Sequence, residues 1–369
     1  MTTAADGSTP PDAAERASHR LAADAPVVVA RERALFTNGK PRRRSCPSLV
    51  RLPGGRLLLA YAQTRGPDLA NDAAVMLSTS DDDGATWSEP DPIYATPGWF
   101  SMPMGGFAPI ADDRLLFMIG RIQVDPSLPG TEPITGWYQG SIASSDGGAT
   151  WSEPSEDIRL FPHWTELYGQ SNPHRLSDGR LLWACMGTEG RDLGWHSGVS
   201  ISDPTGTTFA APTIIAKAPD RDYSDIDLVR LADGRFLAVV REHLTLQGVQ
   251  AWSSDEGRTW TAPRPTPFLG SNLKLFRLPS GTVLCAYRDE DPTRRGVSLS
   301  WTDDGGETWR DGGQLYAAGD AAQHAPGSVC GYPDIVALDD ERLLAVLHTY
   351  GSPAGIELRC LDLRIRPGA

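Results

Sequence analysis

The chain contains few cysteines and no cysteine pair. Its five cysteines stand singly, at Cys46, Cys185, Cys285, Cys330 and Cys360. Because an odd number of isolated cysteines cannot all close into disulfides, and because metal and redox sites usually show paired spacings, we expect reduced thiols. The seven histidines form no paired-ligand spacing, and the sequence contains no phosphate loop or dinucleotide fingerprint. We therefore expect neither a metal nor an organic cofactor.

Basic residues are also in short supply. The chain has 34 Lys and Arg against 47 Asp and Glu, which gives a formal net charge of -13. Nucleic acids and anionic membranes are bound through a basic face. The charge therefore argues against both as partners and favours a small or neutral one. The sequence leaves the oligomeric state open.

Long hydrophobic runs are absent. No segment approaches the roughly 18 consecutive apolar residues that a membrane-spanning helix requires. Residues 1–25 are rich in Ala, Asp, Ser, Thr and Pro and lack the apolar core of a signal peptide, so they predict a disordered leader. These features favour a cytoplasmic protein.

What the chain does contain is a repeated octapeptide, Ser-x-Asp-x-Gly-x-Thr-Trp, which we call the box. Self-similarity at intervals of roughly 50 to 60 residues is typical of repeat architectures. Asp, Gly and Ser suit a tight turn, and the Trp suits packing between neighbouring units, so the box predicts a structural motif. Its copies are Ser80–Trp87, Ser144–Trp151, Ser253–Trp260, Thr302–Trp309 and a divergent one, Ser202–Phe209, with Pro204 in the Asp place.

A second repeat alternates with the first. It is a short apolar run, a turn and another apolar run, which predicts a β-hairpin because each run is too short for a helix. The six copies are Leu49–Leu58, Ile110–Leu116, Leu176–Leu182, Leu231–Leu237, Leu278–Leu284 and Leu338–Leu344. A box follows each of the first five hairpins.

This order predicts an all-β fold, a six-bladed β-propeller of four-stranded antiparallel blades that spans residues 26–369 as one domain. Pro26–Ala34 and Ile356–Ile365 would complete one blade from the two ends of the chain. The longest irregular segments, Val124–Trp137 and Ala318–Val329, are candidate specificity loops.

The box, the hairpins and several residues named below resemble the sialidase (neuraminidase) superfamily, from about Arg31 onward. The resemblance implies a retaining exo-glycosidase with a Tyr nucleophile, a carboxylate partner, an Asp acid/base and three Arg residues that hold the sugar carboxylate. Similar boxes occur in propellers without catalytic activity, so each catalytic position is compared separately.

Three positions match the family's motifs in the second half of the chain. In Ser-Asp-Ile-Asp, Asp225 takes the place of the acidic partner of the nucleophile, where the family usually has Glu. Arg241, at the end of the same hairpin, matches the second carboxylate-binding Arg. Tyr332, in Gly-Tyr-Pro-Asp-Ile, matches the nucleophile.

The remaining positions leave alternatives open. Arg294 lies eight residues before a box, as the third Arg does in the family, and Arg288 is its competitor. Arg65 and Asp68 resemble the Arg and the acid/base Asp after the first hairpin, with Asp72 as the rival acid. Trp164, Trp183 and Trp195 are candidates for stacking on a sugar, with core packing as the alternative.

The chain departs from the family at the first Arg. The family has Arg-Ile-Pro before the first hairpin, whereas this chain has Ser45-Cys46-Pro47, with Arg44 one residue early. Adjacent strand residues face opposite ways, so Arg44 needs a bulge to replace the missing Arg. The Glu that steadies this Arg in the family is also missing, since the chain reads Leu347-His348-Thr349 there.

The sequence therefore favours hydrolysis of a terminal acidic sugar from a glycan or glycoconjugate. Asp68, Asp225 and Tyr332 are the expected catalytic residues, and Arg44, Arg65, Arg241 and Arg294 the expected substrate-binding residues. One alternative is a carbohydrate-binding propeller without catalysis, and another is a related hydrolase or lyase for a different sugar. For the single residues, ordinary salt bridges and strand packing are the competing interpretations.

Overall fold

The structure is a computed structural model. It describes residues 19–37, 42–111, 113–125, 127, 134–155, 157–160, 166–169, 171–190, 194–318, 330–351 and 355–368. The predicted leader up to residue 18, Trp164, half of the loop 124–137 and nearly all of the loop 318–329 lie outside the described residues.

All the regular secondary structure in the described ranges is β-strand. None of these ranges contains a helix that could cross a membrane. The strands of the first half are β1 (Arg20–Leu21), β2 (Val27–Leu35), β3 (Arg44–Arg51), β4 (Leu57–Gln63), β5 (Ala74–Ser80), β6 (Asp91–Ala95), β7 (Phe100–Pro109), β8 (Leu115–Val124), β9 (Ile134–Ser144), β10 (Glu166–Gly169), β11 (His174–Arg175) and β12 (Leu181–Thr188). Those of the second half are β13 (His196–Ile201), β14 (Thr213–Ala216), β15 (Tyr223–Arg230), β16 (Phe236–Glu242), β17 (Gln247–Ser253), β18 (Arg264–Arg277), β19 (Val283–Asp289), β20 (Gly296–Thr302), β21 (Arg310–Ala317), β22 (Gly331–Ala337), β23 (Arg342–Gly351) and β24 (Gly355–Ile365).

The strands form five antiparallel sheets. Sheet 1 is β3-β4-β5-β6, sheet 2 is β7-β8-β9, and sheet 3 contains β10 to β14. Sheet 4 runs from β15 to β21 and is extended at its outer edge by β1, within the segment expected to be a leader. Sheet 5 is β22-β23-β24-β2, so strands from both ends of the chain complete it. The all-β prediction is confirmed.

The six predicted hairpins all form antiparallel pairs. In the first, Leu49 lies opposite Leu59 and Arg51 opposite Leu57. The turn closes when the Gly55 N–H donates to the Leu52 carbonyl at 2.8 Å, and Gly55 has a φ of 90°, a conformation that favours glycine. Local turn chemistry therefore sets each hairpin.

The four intact boxes share one hydrogen-bond pattern. In the first, the Asp82 carboxylate accepts the Thr86 N–H at 2.9 Å, the Thr86 hydroxyl at 2.6 Å and the Ser80 hydroxyl at 2.8 Å. The divergent copy keeps a carboxylate one position earlier, because Asp203 accepts the N–H groups of Thr207 and Thr208. The box is thus a self-contained turn, as its composition predicts.

Apolar clusters join neighbouring sheets. They connect sheets 1 and 2, 2 and 3, 3 and 4, 4 and 5, and also the last sheet to the first, where Leu59 packs with Val346. The box tryptophans pack on these clusters or on the cluster inside sheet 4. Each box glycine faces a leucine, and Gly84 of sheet 1 lies against Leu344 of sheet 5. The innermost strands, which include β3, β7, β15, β18 and β22, line a single cavity.

Candidate active site

All five sheets contribute to one large cavity of about 1260 Å³. Its floor comes from β3, β7, β15, β18 and β22, each of which carries a β-bulge where its pairing register shifts. A bulge turns one side chain out of the regular alternation, and bulges often lie beside active sites. The cavity floor is therefore built from five bulges.

Four of these bulges place a residue other than glycine in the left-handed region. Cys46, Asp225, Asn272 and Tyr332 have φ values of 53°, 46°, 50° and 48°, and all four line the cavity. In the bulge of β7, the residue with positive φ is a glycine, Gly106, with a φ of 62°. Backbone strain of this kind typically clusters at functional sites. The ring of strained residues marks the cavity as the candidate site.

Asp225 is held from three sides. Its Oδ2 accepts the Arg241 Nη1–H at 2.9 Å and the Asn272 backbone N–H at 3.2 Å. Its own N–H donates to the Met186 sulfur at 3.0 Å. The distance from Arg241 Nη2 to Glu290 Oε1 is 4.0 Å. The predicted pair of Asp225 and Arg241 thus forms a direct ion pair on the cavity wall.

Tyr332 lies on β22 of sheet 5 and lines the same cavity. Its ring centre is 5.2 Å from that of His348 and 5.9 Å from the Arg288 guanidinium carbon. Asp225 and Tyr332 therefore line one cavity from two sheets, with Asn272 of the intervening strand β18 on the same floor.

Arg288 and Arg294, the two candidates for the third Arg, have different places. Arg288 lines the cavity, and its Nε donates to the Cys330 carbonyl at 2.6 Å. Arg294 is outside the cavity lining, where it pairs with Asp311 at 2.5 Å and with Asp289 at 3.3 Å. Those carboxylates raise the pKa of Arg294, chiefly through the hydrogen bond that Arg294 donates to Asp311. The geometry brings Arg288, and not Arg294, to Tyr332.

Arg44 also points away from the cavity. It is buried, and its Nε donates to the Gln63 side chain at 2.9 Å. Burial lowers the pKa of its guanidinium. Arg43, one residue earlier, lines the cavity instead. It stands two positions before Ser45, on the same face of the extended chain, and this spacing is a signal that sequence reasoning missed.

Arg65 and Asp68 lie in the exposed segment after β4, outside the cavity lining. Leu69, next to Asp68, does line the cavity. The rival Asp72 is exposed as well, and its carboxylate accepts the Arg65 N–H at 3.4 Å. This segment therefore forms part of the rim.

Below the bulges lies a buried ion cluster that the sequence did not reveal. Lys274 Nζ is 2.9 Å from Asp334 Oδ1, and burial raises the pKa of the neighbouring Asp227. Burial opposes the charge of Lys274, but the attraction of Asp334 and Asp227 outweighs it and raises the Lys274 pKa. The Asp227 carboxylate on β15 accepts the N–H of Leu275 on β18. The Asp334 carboxylate on β22 accepts the N–H of Leu49 on β3. The cluster ties the innermost strands together.

One wall of the cavity is apolar. Sheet 2 contributes only apolar residues and glycines, namely Phe100, Met102, Pro103, Met104, Gly105, Gly106, Ile122 and Ile134. Sheet 3 adds Tyr168, Met186 and Trp195, whereas Trp183 is fully buried in the core. Of the two predicted stacking residues that the structure describes, Trp195 lines the cavity and Trp183 does not.

Several polar atoms of the lining have no hydrogen-bond partner among the described residues. These buried atoms are Ser45 Oγ, Ser48 Oγ, Ser224 Oγ, Asn272 Oδ1 and His348 Nε2. A buried polar atom without a partner costs about 1 to 3 kcal/mol, so water or a ligand is expected to satisfy it. This lining suits a molecule rich in hydroxyl groups.

None of the five cysteines forms a disulfide in the described part of the chain. Within the described ranges, no group of three or more His, Cys, Asp or Glu side chains is arranged to hold a metal ion.

Comparison with known proteins identifies relatives of the same architecture. Residues 122–346 match the BNR repeat-like domain family. A curated sialidase from Micromonospora viridifaciens is 27% identical over 318 residues, which cover 75% of this chain and 47% of that protein. The chain thus spans about half the length of this curated relative.

Solved structures share the fold. A protein of unknown function from Dyadobacter fermentans has a TM-score of 0.78 at 21% identity, with 92% of this chain and 100% of that chain covered. The NanB sialidase from Streptococcus pneumoniae has a TM-score of 0.66 at 14% identity, with 90% and 70% covered. The sequence match, the boxes and these folds agree, and the chain belongs to the sialidase superfamily of BNR-repeat proteins.

Proposed function

We propose that this chain is a retaining exo-glycosidase that removes a terminal acidic sugar, with Tyr332 as the nucleophile and Asp225 as its base. The main support is that these two residues, from different sheets, occupy equivalent strained bulges and line one cavity. The named sialidase relative supports the same chemistry. A neutral phenol can approach an anomeric carbon that bears a carboxylate, whereas an anionic nucleophile would be repelled.

In the first step, the Tyr332 oxygen bonds to the anomeric carbon while the bond from that carbon to the leaving oxygen breaks. Asp225 accepts the phenol proton, and an acid donates a proton to the leaving oxygen. In the second step, the oxygen of a water molecule bonds to the anomeric carbon while the bond from that carbon to Tyr332 breaks. The carboxylate formed from the acid takes the proton of this water, and Asp225 returns its proton to the Tyr332 oxygen. We assign the acid to Asp68, because its neighbour Leu69 lines the cavity and the leaving group of an exo-acting enzyme points to the rim.

We assign the sugar carboxylate to Arg43 and Arg288. Neither guanidinium forms an ion pair with a carboxylate among the described residues, and Arg43 Nε is buried without a hydrogen-bond partner. Arg241 already shares its charge with Asp225, so its main task is to hold that base in place. Planar guanidinium groups suit a planar carboxylate. Arg44, Arg65 and Arg294, which point elsewhere or stay at the rim, receive no role in this assignment.

The proposed architecture is a closed ring of six blades. Sheet 4 divides naturally at β18, because Arg264 and Pro265 pair with β17 whereas Lys274 to Arg277 pair with β19. The division yields six units, each with its own hairpin. The cluster between sheets 5 and 1 supports closure of the ring.

A related hydrolase for an uncharged sugar is the second candidate. The observation in its favour is the charge of the cavity, because seven acidic and five basic side chains line it among the residues that the structure describes. The guanidinium groups of Arg43 and Arg288 favour an anion in their part of the cavity, so the two candidates differ in whether the substrate contacts these two groups.

The test is a panel of fluorogenic glycosides, with an α-sialoside, a β-glucuronide and neutral pyranosides and furanosides. We expect turnover of an acidic glycoside that Tyr332→Phe abolishes. Tyr223→Phe is the matched control, since Tyr223 is half-buried on β15 outside the cavity. Turnover confined to neutral glycosides would support the second candidate, and inert wild-type protein would rule out both.

A further inference from the structure

His348 stands where the sequence lacks the expected Glu, and it links two strained bulges. Its side chain is buried in the cavity wall on β23, with 1% of the residue exposed. Nδ1 accepts the backbone N–H of Cys46 at 3.2 Å, and the ring packs against Tyr332 with 5.2 Å between ring centres. Cys46 and Tyr332 both have positive φ. His348 thus contacts the bulges of both sheet 1 and sheet 5.

These contacts fix the tautomer of the ring. Because Nδ1 accepts a hydrogen bond, it carries no proton, and a neutral imidazole must then hold its proton on Nε2. Burial, together with the charges of Arg288 and Arg43, keeps the His348 pKa well below its usual range. The side chain is therefore a neutral donor through Nε2.

That donor has no protein partner in the described part of the chain. It lies near two guanidinium groups, Arg43 and Arg288, that form no ion pair with any carboxylate there. A Glu at this position would neutralise one of these cations, whereas a neutral imidazole leaves both charges available. The corner thus presents positive charge and one unused N–H group.

We propose that His348 is a specificity-determining residue whose Nε2–H donates to an oxygen of the substrate carboxylate held by Arg43 and Arg288. The inference rests on the proposed function, because it names the residue that completes its acid-binding corner. It predicts that carboxylated sugars bind through a neutral donor and two cations.

Three substitutions separate the possible roles of the ring. His348→Gln retains a donor near the Nε2 position, His348→Asn retains an acceptor near Nδ1 for the Cys46 N–H, and His348→Phe retains only the packing against Tyr332. Arg56→Gln serves as a surface control, since exposed Arg56 pairs with Asp81 far from the cavity lining. Thermal unfolding checks that each variant is folded.

The measurement is calorimetric binding of free N-acetylneuraminate and D-glucuronate, with N-acetylmannosamine and D-glucose as uncharged references. We expect wild-type protein to prefer an acid over its uncharged reference. The Kd for that acid should rise about tenfold in His348→Asn and His348→Phe, which corresponds to ~1.4 kcal/mol, and less than about threefold in His348→Gln.

The result that overturns the inference is retained acid affinity in His348→Asn or His348→Phe, or failure of wild-type protein to bind either acid. Binding needs no turnover, so the proposed function can fail separately. Acid binding that follows the expected variant order without hydrolysis of any glycoside would support the role of His348 and reject the glycosidase.

Discussion

The Met186 sulfur accepts the backbone N–H of Asp225 at 3.0 Å, and the apolar wall of the cavity meets its charged wall at this contact. Asp225 has a φ of 46°, so this N–H is one of the bonds that hold a strained residue in place. The proposed base therefore depends on a thioether from the neighbouring sheet.

Replacement of Met186 by Leu should remove this acceptor at nearly constant volume. We expect kcat/KM to fall about tenfold, because a misplaced catalytic group can cost that much, while the free energy of unfolding falls by about 1 kcal/mol. Steady-state kinetics and urea unfolding measure the two effects. Met76→Leu is the control, since Met76 is half-buried on β5 away from the cavity. Equal kinetics in both variants would contradict the prediction.

Arg288 and Arg294 should respond differently to replacement by Ala. We expect Arg288→Ala to raise KM for an acidic glycoside by at least about tenfold, since a charge-assisted hydrogen bond contributes roughly 1.5 to 3 kcal/mol. Arg294→Ala should change KM by less than about threefold and should instead lower the melting temperature, because it leaves the buried Asp289 without its cation. A larger KM effect for Arg294→Ala would restore the assignment made from its distance to the box.

These two arginines show which part of the molecule the sequence predicts. The all-β class, the hairpins and the boxes depend on residues close together in the chain, so local patterns predict them well. The direction of a side chain at a bulge depends on register shifts within a sheet and on packing by the next sheet. A family spacing therefore located Asp225, Arg241 and Tyr332 on the cavity, whereas Arg44 and Arg294 face away from it.

The ion cluster of Lys274, Asp227 and Asp334 should dominate stability at the centre. Lys274→Met leaves two buried carboxylates without a cation, so we expect the free energy of unfolding to fall by about 3 to 5 kcal/mol at pH 8. The folded pKa of Lys274 is raised above 10.5, so its stabilisation is complete below that pH and is lost as the pH rises through the higher folded value. Urea unfolding from pH 8 to 11.5 should show this alkaline loss in wild-type protein. If Lys274→Met lost as much stability between pH 8 and 11.5 as wild-type protein, the alkaline loss would come from groups other than Lys274.

The box carboxylates should make the fold sensitive to acid. Hydrogen bonds from Thr86 and Ser80 lower the Asp82 pKa from 3.8 to about 2. A depressed carboxyl pKa stabilises the folded state above pH 3.8, and this contribution is lost as the pH falls through about 2. Asp82→Asn should lower the melting temperature at pH 6 but have less effect at pH 2. Asp91→Asn, at an exposed position on β6, is the reference, and an identical pH profile for both variants would refute the prediction.

Completion of sheet 5 constrains the order in which the protein can be made. Arg33 of β2 bonds to Asp362 of β24 at 2.7 Å across 329 positions of sequence. During synthesis on the ribosome, β2 therefore stays unpaired until nearly all of the chain, including its partner β24, has been made. An unpaired strand edge invites association with other chains, and charged residues on that edge discourage it. The Arg31-Glu32-Arg33 run within β2 offers such protection during the wait.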